Sequence, residues 1–438
     1  MDKSFESICD FDLLIDSEEA TNFEDFLHEL NFKKKFSSAN YVYPGFADYL
    51  GFDEYSGKIF HFHIHYKLIV GKKNQKNYRI PIEKLILDTA VPHDTFPIRT
   101  ILPELEFLLL IIRSLLKFSF DLKTIKRILL KRKVFPQNIL EEFRYLSEKI
   151  DHELFSNYCN DLFSDLSWLF RVFCFKSPEQ ISLLWLMIAR YRLNRSLKNF
   201  QIYQGSQFAN QRRIRIRAAK NNLSWLSNGG ISIAFVGVDG AGKTTTISLI
   251  RTWLISKLSV QTYYMGLPKG DFIWEFIRLF YRIFKKLKIN WLSDKINLLR
   301  NIYSATSKYK TFLDSERVKN QGNIVLFDRY PLKNLGNLDE PIDGPVSQSS
   351  PFWQALEKKY YEKIKPPDYL FVLLTDHEDA INRKSEHQST FKQNQIREKT
   401  RAIFQLVKSN QNSLIPVNSS RNQDEVLLEI KNKIWGVL

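Results

Sequence analysis

The sequence has few cysteines and no long apolar run. Its 438 residues include three cysteines, Cys9, Cys159 and Cys174, whose spacing suits neither a disulfide framework nor a cysteine-bound zinc site. The most apolar stretch, 105–116, contains Arg113 and is too short to cross a bilayer. Acidic residues interrupt the first ten positions, so we expect no secretory signal there. Together these absences predict a protein of a reducing compartment, and we expect it in the cytoplasm.

Internal repeats and low-complexity tracts are also lacking. Hydrophobic residues make up 44% of the chain, which excludes a disordered protein, and 438 residues are too many for one ordinary core. The formal net charge is +16. A basic balance fits nucleotides, phosphorylated substrates, nucleic acid or an anionic membrane, and does not choose among them.

The clearest chemical signal lies in residues 231–250. The apolar run 231–236 predicts a buried parallel strand, and the following GVDGAGKT has the spacing G-x-x-x-x-G-K-[ST] of a phosphate-binding loop before a predicted helix. Glycines let backbone N–H groups surround phosphate oxygens, Lys243 is expected to reach the β- and γ-phosphates, and Thr244 is expected to hold Mg²⁺. The predicted nucleotide-binding residues are Gly237, Asp239, Gly240, Ala241, Gly242, Lys243, Thr244 and Thr245.

From residue 229 onward, apolar strand patterns alternate with helical ones. This order predicts an α/β fold with a parallel sheet covered by helices. The predicted strands are 231–236, 260–265, 323–327, 369–374 and 414–417. The predicted helices are 245–257, 271–288, 295–319, 352–363, 379–384 and 394–409.

A second polar site follows the strand predicted at 323–327. There the sequence reads Asp328-Arg329-Tyr330-Pro331. Because ligands bind outside the carboxyl ends of parallel strands, Asp328 and Arg329 are expected in the crevice of the glycine loop. A carboxylate there can bind Mg²⁺, and a guanidinium can grip a substrate phosphate through two hydrogen bonds.

The motifs FVGVDGAGKTT, FDRY and PPDYLFVLL together resemble the thymidylate kinase family of P-loop phosphotransferases over about residues 231–420. The resemblance implies a kinase that uses ATP and Mg²⁺, with Lys243, Asp328 and Arg329 in its catalytic site. It also implies a lid whose arginines close over ATP. Arg383 and Arg397 are the lid candidates by this analogy.

Two segments depart from that family. Where the family has E-P-G-G-T, this chain has 265–270, MGLPKG, and the thymine-holding S-x-x-A-Y-Q-G is replaced by 331–345. We therefore expect dTMP to be a poor substrate and the acceptor to be another small phosphate or hydroxyl compound, either a nucleoside monophosphate or sugar-related. The motif DRYP and the later motif DGP resemble the sequences of kinase-like proteins associated with bacterial surface-polysaccharide synthesis.

The amino-terminal region carries Asp10-Phe-Asp12 on a predicted strand, where alternation puts both carboxylates on one face. This D-x-D resembles that of polymerase-β-like nucleotidyltransferases over roughly residues 8–120, which implies Mg²⁺ at Asp10 and Asp12. The family's upstream Gly-Ser motif and third carboxylate are not evident, so activity is left open. The histidines of the strand predicted at 58–70 also share a face; hydrogen bonding within the sheet is favoured over a metal site. They are His61, His63 and His65.

These patterns predict four regions. They are a nucleotidyltransferase-like α+β domain at 1–102, a helical domain at 103–200, a linker at 201–230 and a P-loop kinase domain at 231–438. Within the helical domain, helices are expected at 104–116, 122–133, 139–150 and 181–197. The linker is inferred from its polar, basic composition.

Other functions and partners are left open. The charge and the segment QRRIRIRAAK prompt a nucleic-acid-associated NTPase, although ATP and a small acceptor are favoured and nucleic acid is not expected. A nucleotide-binding regulator without turnover is the third alternative. The basic amphipathic stretch 276–288 suits an anionic membrane, but a core-facing helix is favoured, and a homodimer is left open.

Overall fold

The computed structural model describes residues 10–37, 44–71, 76–118, 135–221, 223–268, 270–331, 351–383, 397–401, 403–404, 407 and 414–438. Within these residues the strands are β1 Asp10–Leu14, β2 Lys33–Ser37, β3 Phe46–Phe52, β4 Ile59–His65, β5 Ile69–Val70, β6 Tyr78–Arg79, β7 Val91–Pro92, β8 Arg99–Thr100, β9 Ser224–Leu226, β10 Ser232–Gly237, β11 Val260–Tyr264, β12 Ile324–Asp328, β13 Tyr369–Leu374 and β14 Ile415–Asn418.

The α-helices of the described residues are α1 Ala20–Glu29, α2 Glu83–Asp88, α3 Pro103–Lys117, α4 Gln137–Ser147, α5 His152–Leu162, α6 Ser167–Phe175, α7 Leu183–Ser196, α8 Gly205–Asn221, α9 Lys243–Ile255, α10 Phe272–Lys286, α11 Asn290–Lys319, α12 Pro351–Tyr361, α13 His377–Asn382 and α14 Gln423–Val437. Residues 397–401 are also helical. Among the described residues no helix is both long and apolar enough to cross a membrane.

The amino-terminal sheet is mixed and has the order β1-β4-β3-β2-β9. Strand β1 runs parallel to β4, whereas the other pairs are antiparallel. The long strand predicted at 58–70 is two strands, because β4 ends at His65 and β5 pairs with β6 instead. The strand predicted around Asp10 and Asp12 is confirmed as β1.

Residues 201–230, predicted as a linker, carry regular secondary structure. Residues 205–221 form α8, and β9 joins the amino-terminal sheet by pairing with β2. In that pair Trp225 stacks on Phe36. Strand β9 therefore completes the amino-terminal sheet, although it lies only a few residues before the parallel sheet in the sequence.

The helical region forms a core of its own. Helix α3 buries most of its side chains, because it packs against α4, α5, α6 and α7 on different sides. The helices predicted at 104–116, 139–150 and 181–197 are confirmed as α3, α4 and α7. The one predicted at 122–133 lies outside the described residues.

The carboxyl-terminal sheet is parallel throughout and has the order β11-β12-β10-β13-β14. All five predicted strands are confirmed, and β10 at the centre is buried along its whole length. A parallel strand covered by helices on both faces reads as a continuous apolar run, as β10 does. Helix α14, which starts at an Asn422 cap and buries Ile430 and Ile434, was not predicted.

Helix α10 does not face the core as favoured above. Of its fifteen residues only Trp274 is buried, while Phe272 is 84% exposed and Phe276 is 54% exposed. Four of its apolar side chains, Phe272, Ile273, Phe276 and Leu279, are each more than half exposed. The core-facing interpretation of this stretch is wrong, and contact with a membrane stays a prediction.

The two sheets share one continuous apolar cluster. Leu50, Ile59 and Leu226 belong to the same buried cluster as the strands of the parallel sheet. At its edge Phe52 stacks on Trp435 at 5.4 Å and meets Trp253 edge-on at 5.7 Å between ring centroids. The halves of the molecule therefore stabilise each other by burial of large aromatic side chains.

Candidate active site

The glycine loop lies between the central strand β10 and helix α9. Gly240 and Gly242 have φ angles of 94° and 85°, a left-handed region that favours glycine. At Gly240 a Cβ would also collide with the backbone carbonyl of Ala380 in α13. The loop therefore needs glycine at both positions, and it rests against the segment that leads to Arg383.

Lys243 begins α9 and lies over the loop. Its side chain is buried, and Nζ donates hydrogen bonds to the carbonyls of Gly237 at 2.7 Å and Val238 at 2.9 Å. These bonds satisfy an ammonium that would be costly to bury alone. The lysine is thus held at the loop, where a phosphate would meet it.

Thr244 and Asp328 bring together the glycine loop and the end of β12. The Thr244 hydroxyl donates a hydrogen bond of 2.8 Å to Asp328 Oδ2. Asp328 Oδ1 is buried without a hydrogen-bond partner among the described residues. A buried carboxylate oxygen in this state is costly and suits a cation, and hydroxyl and carboxylate oxygens are ligands that Mg²⁺ accepts. The residues present fit a magnesium ion.

Arg329 stands on the other side of the same crevice. Its φ of 70° is unusual for a residue other than glycine, and its backbone N–H donates to Phe235 of β10 at 3.2 Å. The guanidinium donates a hydrogen bond of 2.9 Å to Asp239 of the glycine loop and lies 6.0 Å from the ring centre of Tyr264. Strained backbone of this kind clusters at functional sites, where neighbouring structure holds it. Tyr264 was not predicted as part of the site.

The structure describes both lid candidates, Arg383 and Arg397, but not the chain between them. Arg383 is exposed directly after α13, and its backbone N–H donates a hydrogen bond of 3.0 Å to the carbonyl of Asp379. Arg397 is exposed at the start of the helical residues 397–401. The residues between them, 384–396, lie outside the described part of the chain, as do Lys269 and 332–350. The two base-recognition departures therefore stay sequence predictions.

A separate polar cluster lies on the amino-terminal sheet around Asp48 of β3. This buried carboxylate accepts hydrogen bonds from His61 Nε2 at 3.0 Å and His63 Nδ1 at 2.7 Å. Burial lowers the pKa of His61 even though Asp48 opposes that change. Asp48 was not predicted as a site residue, although an aspartate inside the apolar strand FADYLGF is an available signal.

The two carboxylates of the D-x-D have different partners. Asp10 lies 3.3 Å from His61 Nδ1 and forms an ion pair with Lys257, which follows α9. Asp12 instead pairs with His65 at 3.3 Å, and this hydrogen bond lowers the pKa of Asp12. A shared Mg²⁺ at Asp10 and Asp12 stays a prediction. The favoured interpretation of the histidines, hydrogen bonding within the sheet, agrees with these contacts.

Known proteins resemble about half of this chain. A probable thymidylate kinase of Methanobrevibacter smithii is 25% identical over 203 residues, which are 46% of this chain and 93% of the relative. A probable thymidylate kinase of Methanosphaera stadtmanae is 27% identical over 209 residues, or 46% and 96%. A thymidylate kinase of Limosilactobacillus fermentum is 31% identical over 101 residues, or 23% and 45%.

Among solved structures, deoxyadenosine kinase from M. mycoides with bound dATP covers 47% of this chain and 99% of its own, with 16% identity and a TM-score of 0.31. The same enzyme with products dCMP and dCDP covers 48% and 100%, with 16% identity and a TM-score of 0.33. No family model matches the sequence. The curated relatives, with the glycine loop and parallel sheet described above, support a P-loop kinase in this chain.

Proposed function

We propose that this protein is an ATP-dependent phosphotransferase that moves the γ-phosphoryl group of Mg·ATP to a small phosphate or hydroxyl acceptor. The contact between Thr244 and Asp328 carries the proposal, because it places beside the glycine loop a buried Oδ1 of Asp328 that has no hydrogen-bond partner among the described residues and that a cation would satisfy. The similarity to thymidylate kinases makes a nucleoside monophosphate the first acceptor to test, and a sugar-related acceptor the second.

In this mechanism the protein positions the phosphates and neutralises charge. Backbone N–H groups of the glycine loop bind the phosphate oxygens of ATP, and Lys243 exchanges its bonds to the loop carbonyls for bonds to the β- and γ-phosphates. Thr244 and Asp328 would hold Mg²⁺, which would supply further positive charge at those phosphates. Arg383 and Arg397 provide cations from the lid.

Arg329 orients the acceptor in this proposal. Its guanidinium pairs with Asp239 across the crevice, so an acceptor phosphate would compete with that carboxylate for the same N–H donors. The ion pair with Asp239 would hold the guanidinium in position before the acceptor binds. Charge-assisted bonds to a planar guanidinium fix both distance and direction, as in-line transfer requires.

The domain organisation is part of the same proposal. Residues 231–438 form the kinase unit, and residues 1–102 form a nucleotidyltransferase-like unit whose own activity is left open. The helical residues 103–200 lie between them in sequence. The shared apolar cluster supports a kinase unit that is stabilised by contacts with the rest of the chain.

An acceptor screen tests the function. The full chain is incubated with Mg·ATP and, in turn, nucleoside monophosphates, sugars and sugar phosphates, and both ADP and phosphorylated product are measured. We expect one class to yield product in proportion to ADP. We also expect dTMP to react with kcat/KM below about 10⁴ M⁻¹s⁻¹, the lower end for ordinary enzymes.

Two variants of α9 control the screen. Thr244→Val should strongly lower transfer, whereas Thr252→Val should not, because among the described residues the Thr252 hydroxyl bonds the carbonyl of Ser248 on the same helix. Hydrolysis that depends on added polynucleotide, without any phosphorylated small molecule, would contradict the proposal. So would nucleotide binding without turnover on every acceptor.

A further inference from the structure

We propose that Asp10, His61 and His63 form a binding site for a first-row transition-metal ion of the zinc type. The three residues come from neighbouring parallel strands, since Asp10 lies opposite His61 in the register of β1 and β4, and His63 is two residues further along β4. Each offers one ligand atom, and these atoms lie within 4.8 Å of one another. That spacing suits three ligands around one ion.

Asp48 holds the two imidazoles in position for this role. It occupies Nε2 of His61 and Nδ1 of His63, so Nδ1 of His61 and Nε2 of His63 are the nitrogens that Asp48 does not engage. Asp10 already lies on the Nδ1 side of His61. A buried carboxylate that bonds the second nitrogen of each histidine is the usual support of a histidine-metal site, because it fixes the ring orientation and tautomer.

The donor set decides the kind of metal. Two imidazole nitrogens and one carboxylate suit zinc and its neighbours, whereas Mg²⁺ prefers oxygen ligands. The proposed site therefore differs from the Mg²⁺ site expected for the D-x-D. Asp12 is not one of its ligands, because Asp12 pairs with His65. Asp10 is exposed and His61 is buried, so the ion would lie at the sheet surface with a position open to water or a ligand. Three protein ligands with an open position are typical of catalytic metal sites.

Lys257 is the cation at Asp10 in the metal-free chain. Its ammonium forms an ion pair with Asp10, and Lys35 of β2 also interacts electrostatically with Asp10 and Asp48. A metal ion that binds Oδ1 of Asp10 would compete with Lys257 for that oxygen. Because Lys257 follows the last turn of α9, metal binding on one sheet would release a contact with the helix that begins at the glycine loop.

Zinc titration of the full chain tests the site. The protein is dialysed against a chelator, and Zn²⁺ binding is followed by calorimetry, with the visible spectrum of the Co²⁺ form as a measure of nitrogen ligation. We expect one equivalent to bind, and His63→Ala and Asp10→Asn each to weaken that binding at least about tenfold. Asp10 is exposed, so Asp10→Asn keeps the test valid if His63→Ala fails to fold.

Two further variants sharpen the assignment. His65→Ala is the matched control on the same strand and should leave zinc binding unchanged, because His65 pairs with Asp12. Lys257→Met should tighten binding by about two- to fivefold, the scale of an exposed ion pair. Absence of saturable zinc binding in the wild type, equal binding by Asp10→Asn, or a loss in His65→Ala as large as that in Asp10→Asn would overturn the proposal. Unchanged binding by Lys257→Met would overturn the competition between lysine and metal.

Discussion

The two five-stranded sheets bring their functional side chains together in different ways. In the parallel carboxyl-terminal sheet, the polar residues follow the ends of β10 and β12, and most of them lie in one run from Gly237 to Thr244. In the mixed amino-terminal sheet, they lie within three strands, β1, β3 and β4. A parallel sheet collects strand ends at one edge, whereas a mixed sheet collects residues by register across its face. Motif spacing therefore predicts the first kind of site far better than the second.

The largest expected effect tests the glycine-loop site itself. Lys243→Ala should lower kcat for phosphoryl transfer by about 10²–10³-fold, because it removes a cation directed at the transferring group. Thermal unfolding should change far less than kcat, since the side chain lies at the loop, where Nζ bonds the carbonyls of Gly237 and Val238.

Lys310→Ala, at an exposed lysine of α11, is the matched control and should behave as wild type. Turnover of Lys243→Ala within tenfold of wild type, measured by initial rates with saturating ATP, would show that the loop does not serve as proposed.

Arg329→Ala should have a smaller effect, and that effect should appear in the kinetic constants for the acceptor rather than in those for ATP. Loss of a charge-assisted hydrogen bond costs about 1.5–3 kcal/mol, which corresponds to roughly 10–100-fold in kcat/KM for the acceptor. ATP affinity should stay close to wild type. Arg317→Ala, at a side chain that is 74% exposed, is the control. If steady-state kinetics instead show weakened ATP binding with unchanged acceptor kinetics, Arg329 has been assigned the wrong partner.

Phe52→Ala tests whether the two sheets stabilise each other. The ring packs between Trp253 and Trp435 and is partly buried, so its loss should lower the free energy of unfolding by about 2 kcal/mol, less than a fully buried phenylalanine. Tyr55→Ala, at a side chain that is 93% exposed, should change it by less than about 0.5 kcal/mol. Equal denaturation midpoints for the two variants would mean that the sheets are energetically independent.

The smallest effect concerns Asp368, which ties β13 to β10. Burial would raise the pKa of Asp368, but hydrogen bonds from Ser232 and the cation of Lys319 hold it below its ordinary value. A lowered pKa stabilises the fold above the ordinary carboxyl pKa, and this contribution is lost as the pH falls through the lowered value.

Asp368→Asn should therefore cost only about 0.5 kcal/mol at pH 7, since solvent screens this half-exposed group, and nothing once wild-type Asp368 is protonated. Asp294→Asn, at an exposed residue of α11, should cost nothing at either pH. A deficit of Asp368→Asn that persists unchanged in acid, measured by urea unfolding, would contradict the pKa argument.

Local patterns predicted the parallel sheet well. Its five strands and their helices follow from apolar runs broken by turn signals, and Asp328 follows from its place at a strand end. The patterns failed where contacts with residues distant in the sequence determine the local structure or its exposure. Helix α10 has a strong amphipathic pattern, but its apolar face is exposed. Segment 201–230 is polar, yet it supplies a helix and the edge strand β9.

Local sequence specifies the glycine loop and the order of strands and helices around it, because hydrogen bonds and turn conformations within a few residues depend on local identity. Three features instead follow from tertiary contacts: Asp48 joins His61 and His63, Lys257 meets Asp10, and the two sheets share a core. Those contacts join residues far apart in the chain. They depend on strand register and on which apolar faces meet, and local patterns do not specify either one.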